Sequence, residues 1–211
     1  MRFIDMENWK RKKHYSYFRE LDYPHFGICG YVDVTELQKR VKSRGESFFL
    51  AFMYTAVKAA NEIEELRYRI REESVLVHDR VNPSFTVMSD EEVFSFCTAS
   101  FYDSYKEFCL CASREIELAK RNVDIEDEPG RDDLLYITCI PWISFTGITH
   151  PVHMSPVDSI PRISWGKYFE ENGRVKLPLS VQAHHALVDG AHVGRYFVRL
   201  QEILDGPDRY L

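Results

Sequence analysis

The chain has 211 residues, 45% hydrophobic and 28% charged, a composition that excludes a disordered or fibrous protein and is long enough to bury one sizeable core. Its net charge of -6 argues against a nucleic-acid partner, which would demand a basic face. Aromatics are rich, with 12 Tyr and 14 Phe, as suits a large core, a lined pocket or a subunit interface. The five cysteines follow no Cys-x-x-Cys spacing, so reduced thiols in a cytoplasmic protein are expected. The opening MRFIDMENWKRKKHY is charged throughout, which predicts no signal peptide and no membrane span. No repeat, low-complexity tract or linker divides residues 1–211, so a single domain is expected.

NWKRKKHYSYFREL (8–21) predicts a first helix, and DYPH a turn. FGICGYVDV (26–34) is rich in aromatic and β-branched residues and predicts a strand. TELQKRVKSRG (35–45), with Thr at its start and Gly at its end, predicts a helix. SFFLAFMYTAVKAANEI (47–63) is apolar almost all round, so it predicts a buried helix. RYRI, VLVHD, SFTVM and EVFSFCTASF (92–101) read as short strands, and YKEFCLCASREIELAKRN (105–122) as an amphipathic helix. VDIEDEPGRDD (123–133) reads as a surface loop, followed by LLYITCIPWISFT (134–146), a strand run broken at Pro141. RISWGKYFEENGRVKLPLSVQAHH predicts a hairpin turning at Asn172-Gly173, and GAHVGRYFVRLQEIL a closing helix. The class is α/β or α+β with a mixed sheet. No GxGxxG or GxxxxGK[ST] is present, so neither a dinucleotide nor a P-loop reading has support.

Chemistry concentrates in QAHHALVDGAH. Strand alternation sends His184 and His185 to opposite sides, which works against a metal site built from His184, His185, Asp189 and His192. Asp189 suits a helix N-cap. A strand-end histidine before a tight Asp-Gly turn also suits a general base, provided its tautomer is fixed and an oxyanion donor is near.

His185-Ala-Leu-Val-Asp189-Gly190 matches the His-x-x-x-Asp-Gly signature of coenzyme A-dependent acyltransferases. The surrounding LPLSVQAHHALVDGAHVGRYFVRLQEIL, with NWKRKKHYSYFR, FTVM, PWISFT and ISWGKY, resembles the chloramphenicol acetyltransferase family over essentially the whole chain. The resemblance implies a two-layer α/β sandwich with a mixed sheet. It implies a homotrimer with active sites at subunit interfaces, acetyl-CoA as cosubstrate, and no metal. His185 would be the base, and the acceptor hydroxyl would attack the thioester directly, without an acyl-enzyme. Asp189 would be braced by Arg19, and Thr138 would supply the oxyanion donor. Ser164 matches a residue that orders a water, while Tyr168 and Trp142 match the coenzyme A channel. Phe26 and Phe101 would line the acceptor site. His150 stands where the family has a pocket leucine, and Tyr136 replaces a polar residue; a loop position is the alternative for His150. These changes leave two further readings open: an acetyltransferase for another small hydroxylated acceptor, and a binding-only homologue.

Overall fold

The computed structural model describes residues 1–89, 92–121, 125, 128 and 130–211. In chain order the elements are β1 (Arg2–Phe3), α1 (Lys12–Phe18), β2 (His25–Asp33), α2 (Thr35–Arg44), α3 (Phe48–Asn61), β3 (Tyr68–Arg71), β4 (Ser74–Val77) and β5 (Asn82–Met88). They continue with β6 (Phe94–Thr98), α4 (Tyr105–Arg121), β7 (Leu134–Ile140), β8 (Arg162–Gly166), β9 (Phe169–Glu171), β10 (Arg174–His184) and α5 (Gly190–Asp205). Short 3-10 turns lie at Glu64–Arg67 and Pro207–Arg209. Residue 122, the last of the expected fourth helix, and much of the expected loop 123–133 lie outside the described residues.

Among the described residues the main sheet runs β2-β10-β8-β7-β5-β6, with β9 pairing the start of β10. It is mixed, as expected: β5, β7 and β8 are parallel, and the other pairs are antiparallel. A small sheet, β1-β4-β3, stands apart from it. The hairpin at Asn172-Gly173 turns with φ of 52° and 73°, the pair of positive angles that fits strand twist. The first helix is shorter than expected. Asp5 accepts the Glu7 N–H and the Asn8 amide, Trp9 packs on Tyr15 and Tyr68, and the helix begins only at Lys12.

Alternation divides the main sheet into two unlike faces. One face carries Phe85, Ile137, Ile163, Trp165, Leu179 and Val181, all nearly inaccessible, against α3 and its neighbours; Phe52 of α3 meets the Trp165 ring at 5.0 Å. Ser47 caps α3 by accepting the Leu50 N–H, and ten of that helix's residues are buried. The other face is open to the loop 141–161 and is polar. Pairing sets Thr138 beside Ser164, and Ser164 beside Ser180, in one row. The next row holds Ser84, Tyr136, Arg162 and Gln182.

Arg69 of β3 is wholly buried, and its guanidinium donates to the carbonyls of Leu66, Tyr68, Asp132 and Leu134. That ties the small sheet to the start of β7. Burial lowers its pKa to about 10.

Candidate active site

His185 follows the last residue of β10, where its N–H donates to the Pro24 carbonyl at 2.7 Å. The ring is clamped by aromatics. Phe18 of α1 stacks on it at 3.9 Å and 14°, and Phe26 of β2 lies 4.5 Å away. His185 Nδ1 is 3.1 Å from the Val188 carbonyl. A carbonyl can only accept, so Nδ1 carries the proton and Nε2 keeps its lone pair. The fixed ring and fixed tautomer that a general base needs are thus supplied within one turn.

Asp189 caps α5, its Oδ1 accepting the Ala191 N–H at 3.0 Å. Its other oxygen pairs with Arg11, and Arg11 also donates to the His185 carbonyl at 3.2 Å. Burial pushes the Asp189 carboxyl up, but the Arg11 hydrogen bond and the nearby His192 and Arg11 charges leave it lowered overall. The expected partner, Arg19, is corrected by this geometry. Arg19 ends α1, donates to both oxygens of Glu73 (2.7 and 2.9 Å) and lies over the Tyr15 ring. Because the helix starts at Lys12, Arg11 stays in the incoming turn and reaches the 189 turn, while Arg19 points away toward β4's approach. Nothing in the local pattern separates one arginine from the other; the shortened helix does.

The three histidines of the motif face different partners. His184 is buried beside His25, their rings 5.2 Å apart. His185 faces Phe18 and Phe26, and His192 faces Glu65 at 3.3 Å. They share no common centre.

Thr138 and Ser164 are paired in the row described above, Thr138 half-buried and Ser164 nearly inaccessible. His150 lies over that row. Its Nε2 is 2.7 Å from Ser164 Oγ, and its N–H donates to Gln182 Oε1 at 3.1 Å. Burial pushes the His150 imidazole below its ordinary pKa. Tyr136 sits on the same face under the Arg162 guanidinium at 5.2 Å, and Arg162 pairs with Asp158. Trp142 and Tyr168 follow the C-terminal ends of β7 and β8, both exposed, with their segments joined by the Lys167 N–H to the Ile143 carbonyl at 2.7 Å. Tyr168 meets Phe48 edge-on at 5.3 Å.

Phe101 is corrected too. It is 4% exposed and packed on Tyr54 at 5.3 Å and Phe108 at 5.9 Å, in the helix-side core. Its N–H donates to Asn82 Oδ1, which draws the backbone in after β6 has ended. The strand's exposed aromatics are instead Phe94 and Phe96, 6.0 Å apart on the open face. Their alternation with buried Ser95 and Cys97 was the available signal. Phe18, the closest ring to the base, had no local signal at all.

His185 and Thr138 do not meet within one chain. Five residues of strand separate His185 from Ser180, and two strand spacings separate Ser180's row position from Thr138, which together make about 15–20 Å.

The chloramphenicol acetyltransferase profile matches residues 1–201. Chloramphenicol acetyltransferase 3 of Escherichia coli is 31% identical over 202 residues, covering 95% of this chain and 95% of that protein. The chloramphenicol acetyltransferase of Clostridium perfringens is 26% identical over 99% of this chain and 96% of its own. A solved chloramphenicol acetyltransferase superposes with a TM-score of 0.84, at 26% identity, over 96% of this chain and 99% of its own. The dihydrolipoamide acetyltransferase of Azotobacter vinelandii shares the fold, with a TM-score of 0.69 at 19% identity, over 94% of this chain and 88% of its own. The chain belongs to the chloramphenicol acetyltransferase family, and its chemistry is acetyl transfer of the kind that family performs.

Proposed function

We propose that the protein transfers the acetyl group of acetyl-CoA to a hydroxyl of chloramphenicol, with His185 as general base. The observation that carries this is the imidazole held between Phe18 and Phe26, its Nδ1–H on the Val188 carbonyl and its Nε2 free. Nε2 takes the acceptor's hydroxyl proton as that oxygen attacks the thioester carbonyl. The tetrahedral oxyanion is held by the Thr138 hydroxyl. Collapse expels the coenzyme A thiolate, which takes the proton back from His185. No acyl-enzyme forms.

A base must lie within about 3 Å of the proton it moves, so the separation of His185 from Thr138 favours a site completed by a second copy. A homotrimer, each chain one domain over 1–211, places His185 of one subunit against the Thr138 face of the next. Ser164 holds a water there, Phe26 lies at the base's edge, and Trp142 and Tyr168 flank the coenzyme A channel. Cytoplasmic location suits a protein that needs acetyl-CoA and has five free cysteines. No helix among the described residues is long and apolar enough to cross a membrane.

A second reading, transfer to another small hydroxylated acceptor, is favoured by one feature. His150, Ser164, Tyr136 and Arg162 make the acceptor face polar and hydrogen-bonded. Thiol release from acetyl-CoA with chloramphenicol tests the first reading, and its loss in His185→Ala assigns the base. Release only with other alcohols establishes the second. Coenzyme A binding without turnover on any alcohol overturns both.

A further inference from the structure

The peptide that joins Val188 to Asp189 is held at both ends by histidines. Its carbonyl accepts the Nδ1–H of His185 at 3.1 Å. Its N–H donates to His192 Nδ1 at 3.0 Å. Since that N–H can only donate, His192 Nδ1 carries the lone pair and the proton sits on Nε2. Nε2 lies 3.3 Å from Glu65 Oε1, in the turn that follows α3. Glu65 also accepts from Arg195 at 2.9 Å, which fixes its carboxylate.

We propose that Glu65 and His192 are positioning residues for acetyl transfer, acting on His185 through the Val188–Asp189 peptide. The interactions run in one sense: carboxylate, imidazole, peptide, imidazole. Each donor in such a chain polarises the next acceptor. Drawing the Asp189 N–H toward His192 makes the Val188 carbonyl a stronger acceptor, which holds the Nδ1–H tautomer and raises the basicity of the Nε2 that faces the acceptor hydroxyl. When His185 becomes imidazolium in the transition state, its charge is met by this carbonyl, and at long range by the Glu65 carboxylate. The arrangement does for His185 what a directly bonded carboxylate does in other acyl-transfer sites, with a peptide unit interposed.

The chain also predicts its own failure in acid. A proton on His192 Nδ1 would oppose the Asp189 N–H and break the link. The charges facing His192 are Glu65, Asp189, Arg11 and Arg195, drawn from the 3-10 turn, its own turn, the segment before α1, and α5. Burial, the largest influence, keeps the ring neutral below its ordinary pKa.

The inference rests on His185 being the base, so its test has a readout that needs no acceptor. His192→Phe keeps the volume and removes the acceptor for the Asp189 N–H. His192→Asn keeps an oxygen near the Nδ1 position, and Glu65→Gln keeps the shape of the carboxylate without its charge. In protein carrying 15N-labelled histidine, the ring signals of His185 report its tautomer and titration directly. In His192→Phe, mixed tautomers and a titration moved to lower pH are expected. Its kcat should fall about tenfold, part of the ~100- to 10,000-fold that a positioned base contributes, with KM for acetyl-CoA unchanged. The acid limb of the kcat profile should move with the titration. Glu65→Gln shifts both in the same direction by less, and so does His192→Asn, which keeps an acceptor for the Asp189 N–H but does not reach Glu65. An unchanged His185 tautomer and titration in His192→Phe and Glu65→Gln overturns the inference, as does His192→Asn as damaging as His192→Phe. If His192→Phe does not fold, the other two variants decide. Wild-type protein that transfers to no alcohol, yet shows the same spectral coupling, rejects the acetyltransfer reading alone and leaves the link standing.

Discussion

Arg11 and Arg19 are separated by one short helix, and the structure gives them unlike work. Arg11 is mostly buried, joins the Asp189 carboxylate, and donates to the carbonyl of His185 itself. Arg19 makes a more exposed pair with Glu73. Removing Arg11 leaves Asp189 unpaired at the mouth of α5, and loosens the His185 backbone. Arg11→Ala should therefore cost about 2 kcal/mol of stability, less than a fully buried pair because Asp189 is a third exposed. It should also lower kcat more than it raises KM. Arg19→Ala should lose less than about 1 kcal/mol and keep its activity. Melting curves and steady-state kinetics on the two variants check this; equal losses in both would return the brace to Arg19.

At the scale of elements, β2 and β10 end side by side on His25 and His184. His25 Nε2–H donates to the Asp158 carbonyl at 2.8 Å, and His184 Nδ1 accepts the Ala186 N–H at 3.2 Å, so the His184 ring is neutral. Burial, then the neighbouring His25, pushes His184 down to about 4, and burial lowers His25 as well. Unfolded histidines take protons near 6.5, so below that pH the unfolded chain binds more protons than the folded one. Stability is then full above about pH 6.5 and is lost as pH falls toward 4, by about 3 kcal/mol for His184 alone. Urea midpoints at pH 7.5 and pH 5 measure the difference, and His184→Asn should flatten it. Equal midpoints in the wild type would show that neither ring matters. Strand and helix order was legible in the sequence because the periods were clean: the all-round apolar α3, the Asn-Gly turn, the Asp-Gly start of α5. What was not legible were distances across the fold. Arg11 reaches Asp189 over a separation of 178 residues, and Phe18, the last residue of α1, stacks on His185 from the far end of the chain. Phe101 was misassigned since alternation stops with β6, three residues before it.

For the whole molecule, the separation of His185 from Thr138 makes a subunit-level prediction. In the proposed closed ring of three, each site would take its base from one copy and its oxyanion donor from the next. His185→Ala and Thr138→Val are each expected to be nearly inactive, the latter by about 100-fold or more. Unfolded together and refolded, they should regain about a quarter of the wild-type sites, because every mixed trimer contains one junction with both wild-type residues. Refolded separately and then combined, they should regain nothing. Equal activity in the two mixtures would mean that base and donor belong to the same chain.

Arg69 carries a consequence for how cooperative the molecule is. A cation held by carbonyls of the Glu64–Arg67 turn, β3 and the approach to β7 cannot be satisfied one partner at a time. If any one of the three is displaced, a buried charge loses its donors' targets, so partial opening there is nearly as costly as full unfolding. The small sheet, which looks like an appendage, is thereby locked to the strand that carries Thr138. Its amides should exchange with solvent in the same cooperative unit as those of the central strands, not as a fraying edge.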